Sequence, residues 1–292
     1  MGKTMLSFGH GFSARALGAT LIDAGWELIG TTRSLEKANA LRAAGVTALL
    51  WPGDDIGPAL QRASHVLTSV APGEDGDPVL GQHRDELAHA APHLEWVGYL
   101  STTGVYGDHG GGWVDEDTAL TPATKRGEMR RVAEAAWQAL AVETGLPLHI
   151  FRLAGIYGPG RGPFAKVRAG TARRIVKEGQ VFSRIHVEDI AQVLAASIAR
   201  PKPGAIYNLC DDDPAPPQDV IAHAAELLGL PLPPAIAFEE AELSPMARSF
   251  YAESKRVRND RIKEELGVTL RYPSYRDGLA ALLAAESGSV SP

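Results

Sequence analysis

Two short stretches carry residue types and spacings that can do chemistry. The first is Gly9-His10-Gly11-Phe12-Ser13-Ala14, which fits Gly-x-Gly-x-x-Gly/Ala. In that pattern the first glycine permits a sharp bend, the second lets a diphosphate reach the backbone, and the third position needs only a small residue. A helix opening here aims free N–H groups and its positive end at an anion. Gly9, Gly11, Phe12, Ser13 and Ala14 are therefore expected to hold a dinucleotide, with Arg15 adding a positive charge beside them. The next strand ends at Arg33-Ser34, without the Asp or Glu that binds an unmodified ribose. An arginine there pairs with a 2′-phosphate, which favours NADP over NAD. Asp54, after a further strand, is expected near the adenine amino group. The second stretch, Ser101-Thr102-Thr103-Gly104-Val105-Tyr106-Gly107, gathers hydroxyl groups where another strand ends.

The elements that must position these residues follow a regular rhythm. Met5, Leu6 and Phe8 make an apolar strand that stops at Gly9, and Leu17, Leu21 and Ile22 give the following helix an apolar stripe. Strands are expected at 27–32, 47–50, 65–70, 95–100 and 148–153, with helices at 35–44, 56–62, 78–91 and 127–144. This alternation indicates an α/β fold with a Rossmann doubly wound parallel sheet, whose ligands lie beyond the C-terminal strand ends. After residue 160 the rhythm loosens. Proline-rich breaks separate a helix at 187–199, a strand at 206–209 and a helix at 219–228. The expected organisation is an NAD(P)-binding domain over 1–160 and a smaller C-terminal substrate-binding lobe over 161–292, with segments returning to the main sheet. A frayed tail is expected at 287–292.

Composition narrows the function classes. The 292 residues are 45% hydrophobic with a net charge of −6, which suits a soluble globular protein and argues against general nucleic-acid binding. No leader is expected, because Lys3 runs straight into a strand and the glycine turn, and no apolar run reaches membrane-spanning length. With the lone Cys210, these features point to a cytoplasmic setting; no metal site is expected. Charge is unevenly spread: residues 125–184 hold 12 Lys/Arg against 4 Asp/Glu. Such a segment can focus an attractive field on an anionic ligand, or be a set of solvated helix faces.

Several motifs then converge. The glycine turn, the segment from Ser101 to Gly107, Phe151-Arg152-Leu153-Ala154-Gly155-Ile156-Tyr157-Gly158-Pro159-Gly160 and Arg184-Ile185-His186-Val187-Glu188-Asp189 together resemble the extended short-chain dehydrogenase/reductase superfamily, of the NAD(P)-dependent epimerase/dehydratase type. The resemblance implies a Ser/Thr that bonds the reacting oxygen, a Tyr that exchanges a proton and a Lys that lowers its pKa and holds the ribose. Thr102 matches the first, beside Ser101 at the cofactor. The Tyr-x-x-x-Lys pair does not transfer: aligned on Ala133-Glu134, its positions fall on Arg126 and Arg130, and no tyrosine lies between Gly107 and Ile156. Arginine stays protonated and makes a poor proton shuttle. Arg130 is expected to serve the cofactor and Arg126 to meet substrate. Tyr106, Tyr157, His186 and Glu128 are substitute acid/base candidates, and Tyr157, Arg161 and His186 are expected on the substrate side. A literal Tyr-x-x-x-Lys at Tyr251 to Lys255 is set aside, because the catalytic pair should precede the strand at 148–153. Two functions are expected: an atypical oxidoreductase or epimerase acting on a polar anionic small molecule such as a nucleotide-linked sugar, or a catalytically silent dinucleotide sensor. The family usually dimerises through the helices at 78–91 and 127–144, so a homodimer is expected.

Overall fold

The computed structural model describes residues 2–288. Its centre is a seven-stranded, all-parallel sheet. In chain order the strands are β1 (Thr4–Phe8), β2 (Glu27–Thr32), β3 (Thr47–Leu50), β4 (His65–Thr68), β5 (Trp96–Thr102), β6 (Leu148–Leu153) and β7 (Ile206–Leu209). They stand side by side as β7-β6-β5-β4-β1-β2-β3. The order reverses between β1 and β4, and a crevice at such a switch point is where open α/β sheets bind ligands.

Side chains alternate across each strand, and the two faces collect different helices. Met5, Leu28, Trp96 and Phe151 pack with Leu17 and Leu21 of α1 (Phe12–Asp23), Leu41 of α2 (Leu35–Ala43) and Val193 and Leu194 of α6 (Val187–Ala199). Leu6, Phe8, Ile29 and Tyr99 face Leu60 of α3 (Gly57–Arg62), Leu87 of α4 (Pro78–Ala90) and Trp137 and Leu140 of α5 (Lys125–Thr144). Burial of these apolar groups on both faces is the main stabilising term.

Several expected boundaries shift, each for a local reason. β4 ends at Thr68, where Ser69 turns to meet the glycine bend through its hydroxyl on the Gly9 carbonyl. β5 runs on to Thr102, because Ser101 and Thr102 remain in register with Arg152 and Leu153. α5 begins at Lys125, with Thr124 accepting the Gly127 N–H at 3.1 Å as its cap. It stops at Gly145, whose φ of +72° closes the helix in the left-handed region.

Beyond residue 160 the chain contributes to both parts. β7 joins the sheet beside β6, and α6 covers the face occupied by α1. The remainder builds its own core from Phe164, Ala224, Tyr275 and Leu279, between the helices Pro217–Leu227 and Tyr275–Gly288. Ser287 is thus in the last helix; residues 289–292 of the expected tail lie outside the described residues.

Candidate functional site

The glycine turn is built as its spacing demands. Gly9 adopts φ +71°, and a Cβ on it would sit 3.0 Å from Val70 Cγ2 and 3.3 Å from Ser69 Oγ. Its N–H donates to Thr31 Oγ1 at 2.8 Å, and the His10 N–H donates to the Thr31 carbonyl at 2.9 Å, so the bend is strapped to β2. Gly11 caps α1 without any side-chain acceptor for the first-turn N–H groups. A Cβ on Gly11 would meet nothing closer than the Gly9 carbonyl oxygen at 3.6 Å. Open backbone donors at a helix start suit a diphosphate. His10 is a packing residue here. Its ring lies against Gly18 and Gly30, where an added Cβ would stand 3.1 Å and 2.9 Å from ring carbons, and burial lowers its pKa to about 4, leaving it neutral.

At the adenosine end, Arg15 and Arg33 are exposed. Ser34 caps α2 by accepting the Lys37 N–H at 3.4 Å. Asp54 is exposed, but its carboxylate accepts the Leu50 N–H at 2.7 Å and so closes its own turn.

Past the turn, a cavity of about 790 Å³ opens between the ends of β5 and β6 and the C-terminal lobe. Ser101, Thr102, Arg126, Tyr157 and Arg161 all line it. Thr102 Oγ1 accepts the Gly104 N–H at 3.2 Å. Arg126 lies over the Phe250 ring at 5.7 Å, and Arg161 over Phe12 at 5.6 Å, which links the cavity to the glycine turn. Tyr157 donates to the Ser274 carbonyl at 3.4 Å, and burial raises its pKa.

Four expected site residues are placed elsewhere. Tyr106 is fully buried; its hydroxyl donates to Asn208 Oδ1 at 2.7 Å and accepts from Arg152 Nη1 at 2.9 Å, and burial pushes its pKa to about 12. It belongs to a buried network in which Arg152 pairs with Glu134 at 2.8 Å, Glu134 accepts the Ser101 hydroxyl and Glu116 accepts the Asn208 N–H. Arg130 turns beneath the strand ends, donating through Nη1 to Tyr99 Oη at 2.8 Å and to the Leu100 carbonyl at 2.9 Å. It ties α5 to β5 and is absent from the cavity wall. His186 is buried against Tyr272 and Tyr157, and its Nδ1 accepts the Glu188 N–H to start α6. Glu128 is exposed and paired with Arg131.

The Tyr251 to Lys255 motif is on the cavity wall. Tyr251, Glu253 and Lys255 all line it, together with Thr102 and Arg126. They are not one helical face: the short helix Pro245–Phe250 ends just before Tyr251. The parallel pairing of Arg256–Val257 with Trp113–Val114 then anchors the chain that follows. Lys255 Nζ donates to the Gly107 carbonyl at 2.7 Å and pairs with Glu253 at 2.6 Å. The Tyr251 ring packs against Phe182 at 5.6 Å and Phe238 at 5.1 Å. Its hydroxyl has no protein partner among the described residues, and burial raises its pKa, so it is a neutral phenol at neutral pH. The literal spacing was the available signal. Arg184 is a second cavity residue that the sequence did not single out for this role.

Comparison with known proteins bears on this geometry. The NAD dependent epimerase/dehydratase family model matches residues 81–210. Protein YeeZ of Escherichia coli strain K12 is 30% identical, over 93% of this chain and 97% of its own length. This chain belongs to the NAD-dependent epimerase/dehydratase family. The solved structure of a functionally unknown conserved protein from Silicibacter pomeroyi is 62% identical, with a TM-score of 0.92 over 97% of this chain and 99% of that one. UDP-glucuronic acid 4-epimerase from Bacillus cereus, solved with UDP-glucuronic acid and NAD, is 17% identical. It shares the fold, with a TM-score of 0.78 over 98% of this chain and 99% of that one. That family is part of the extended short-chain dehydrogenase/reductase superfamily. Among the described residues no helix is long and apolar enough to cross a membrane.

Proposed function

We propose that this chain is an NADP(H)-preferring oxidoreductase that acts on a small anionic molecule in the cavity beyond β5 and β6. The observation that carries the reading is the open glycine turn feeding, through Phe12 and Arg161, into a cavity that holds Thr102 and three arginines. Gly9, Gly11, Phe12, Ser13 and Ala14 would hold the diphosphate on backbone N–H groups, and Arg15, Arg33 and Ser34 the 2′-phosphate, with Asp54 and Ser101 along the same groove. A bound dinucleotide supplies hydride chemistry beside Thr102. Thr102 orients the reacting oxygen. Tyr251, in place of a tyrosine on α5, offers the proton from a neutral phenol, and the nearby Arg184 charge moderates the burial that holds its pKa up.

Reduction of a carbonyl panel with NADPH tests this, comparing wild type with Tyr251→Phe. The reading expects turnover that falls at least about a hundred-fold in the variant while NADPH affinity is kept. A second reading, binding without turnover, is favoured by one observation: α5 presents Arg126 and Arg130 where the family pair would stand, and Arg130 is spent on protein carbonyls. NADPH binding with no turnover of any substrate would select it.

We also propose that the chain dimerises through α4 and α5. Val142 on α5 is 89% exposed, and a partner seated on α5 would cover it. Light scattering of wild type against Val142→Asp tests this, with a dimer expected to become a monomer.

A further inference from the structure

The cavity wall is selective in what it lacks. Its lining includes no Asn, Gln, Asp or His side chain. A pyranose and its base carry many hydroxyl and amide groups, and each one desolvated without a partner weakens binding. The wall therefore offers a nucleotide base no side-chain amide to pair with. Beside the hydroxyls of Ser101, Thr102 and Thr124, the wall offers an aromatic and apolar stretch: Phe182, Phe250, Tyr251 and Tyr275, with Leu243 and Leu279. Such surfaces receive a flat ring by stacking and edge contact.

Against this aromatic stretch stands a cation with no carboxylate in contact. Arg184 is half-buried, and its Nη1 is fixed by the Phe182 carbonyl at 2.9 Å and the Ala215 carbonyl at 3.0 Å. The guanidinium lies 5.9 Å from the Tyr275 ring. Among the described residues no carboxylate stands within ion-pair distance of it. Asp211 and Asp213 attract it only from beyond ion-pair distance; Asp211 is buried with both carboxyl oxygens unpartnered, and burial raises its pKa to about 8. By contrast Lys255 has its own counter-ion in Glu253. A fixed guanidinium with no carboxylate in contact, beside an aromatic wall, is a receptor for a ligand carboxylate, whose geometry its fork matches.

We infer that the substrate is a planar aromatic acid, its ring held among Phe182, Phe250, Tyr251 and Tyr275 and its carboxylate on Arg184. This deepens the oxidoreductase reading and rests on it. The test uses the full chain loaded with NADPH, after NADPH binding has been measured on its own. Calorimetry then compares 2-naphthoate, 2-naphthamide, 2-naphthyl phosphate and UDP-glucuronic acid. The acid is expected to bind at least about ten-fold tighter than the amide, the loss of one charge-assisted bond, and tighter than the aryl phosphate. UDP-glucuronic acid is expected to bind weakest. Arg184→Met should remove the preference for acid over amide without changing NADPH affinity, whereas Arg126→Met should keep that preference. If the Arg184 variant does not fold, the wild-type comparison of acid with amide still decides. Equal binding of acid and amide, tighter binding of the aryl phosphate, or tighter binding of UDP-glucuronic acid would overturn the inference while leaving the oxidoreductase reading in place. No NADPH binding at all would remove both.

Discussion

Replacing Glu134 with Gln should be among the most damaging single changes in the chain. Arg152 and Glu134 are only 3% and 2% exposed at their side chains, and the guanidinium meets both carboxylate oxygens, through Nε at 3.2 and 3.3 Å and through Nη2 at 2.8 Å. Glutamine keeps the shape but removes the charge, so the guanidinium is left uncompensated where water cannot reach it. Removing one partner of a buried pair costs about 3–5 kcal/mol. At roughly 2–4 °C per kcal/mol for a chain of this size, Tm should fall by about 6–20 °C. Urea denaturation followed by circular dichroism gives the free energy, and an unchanged slope shows that the loss lies in the native state. The double change Glu134→Leu with Arg152→Met removes both charges and should be less harmful than Glu134→Gln alone. The reasoning fails if Glu134→Gln stays within about 1 kcal/mol of wild type, or if the double variant is the worse of the two.

Other outcomes follow from single features. Gly9→Ala places a Cβ 3.0 Å from Val70 at φ +71°. Left-handed backbone costs an alanine about 1–2 kcal/mol, so fluorescence titration should show weaker NADPH binding and thermal scans a lower Tm. Arg33→Ala should weaken NADPH by about ten- to a hundred-fold and leave NADH nearly unchanged, the loss of one charge-assisted contact to the 2′-phosphate. Stability should decline on acidification from pH 7 to 5. His10, His65 and His149 are held neutral down to about pH 4 by burial, whereas the unfolded chain takes up those protons near 6.5. At pH 5 each ring costs about 2 kcal/mol relative to neutral pH. Asp211, with its pKa raised to about 8, works in the opposite sense and gains stability as pH falls, offsetting roughly one of the three. Urea midpoints at the two pH values check the sign.

Much of the sheet was legible because local and global signals agree in it. β2, β3 and β6 span the residues expected for them, and the glycine turn is strapped to Thr31 as a tight bend requires. The side chains at the cavity were harder to read, because each points where long-range packing sends it. Tyr106 and Thr102 sit four residues apart, yet the short turn after β5 delivers one to the cavity and the other to Asn208 in β7. Arg126 and Arg130 are one helical turn apart on α5, and the first reaches Phe250 while the second folds under the strand ends. Tyr251 stands at the wrong place in the chain for a helical pair. It reaches the cavity through the segment between the helix Pro245–Phe250 and the pairing with Trp113–Val114, a contact that no local pattern encodes.

Isothermal titration of the purified chain with NADPH and with NADH tests the central claim most directly. The account predicts saturable binding of NADPH at least about ten-fold tighter than NADH, lost in Gly9→Ala. Absence of heat or saturation with both nucleotides would contradict it.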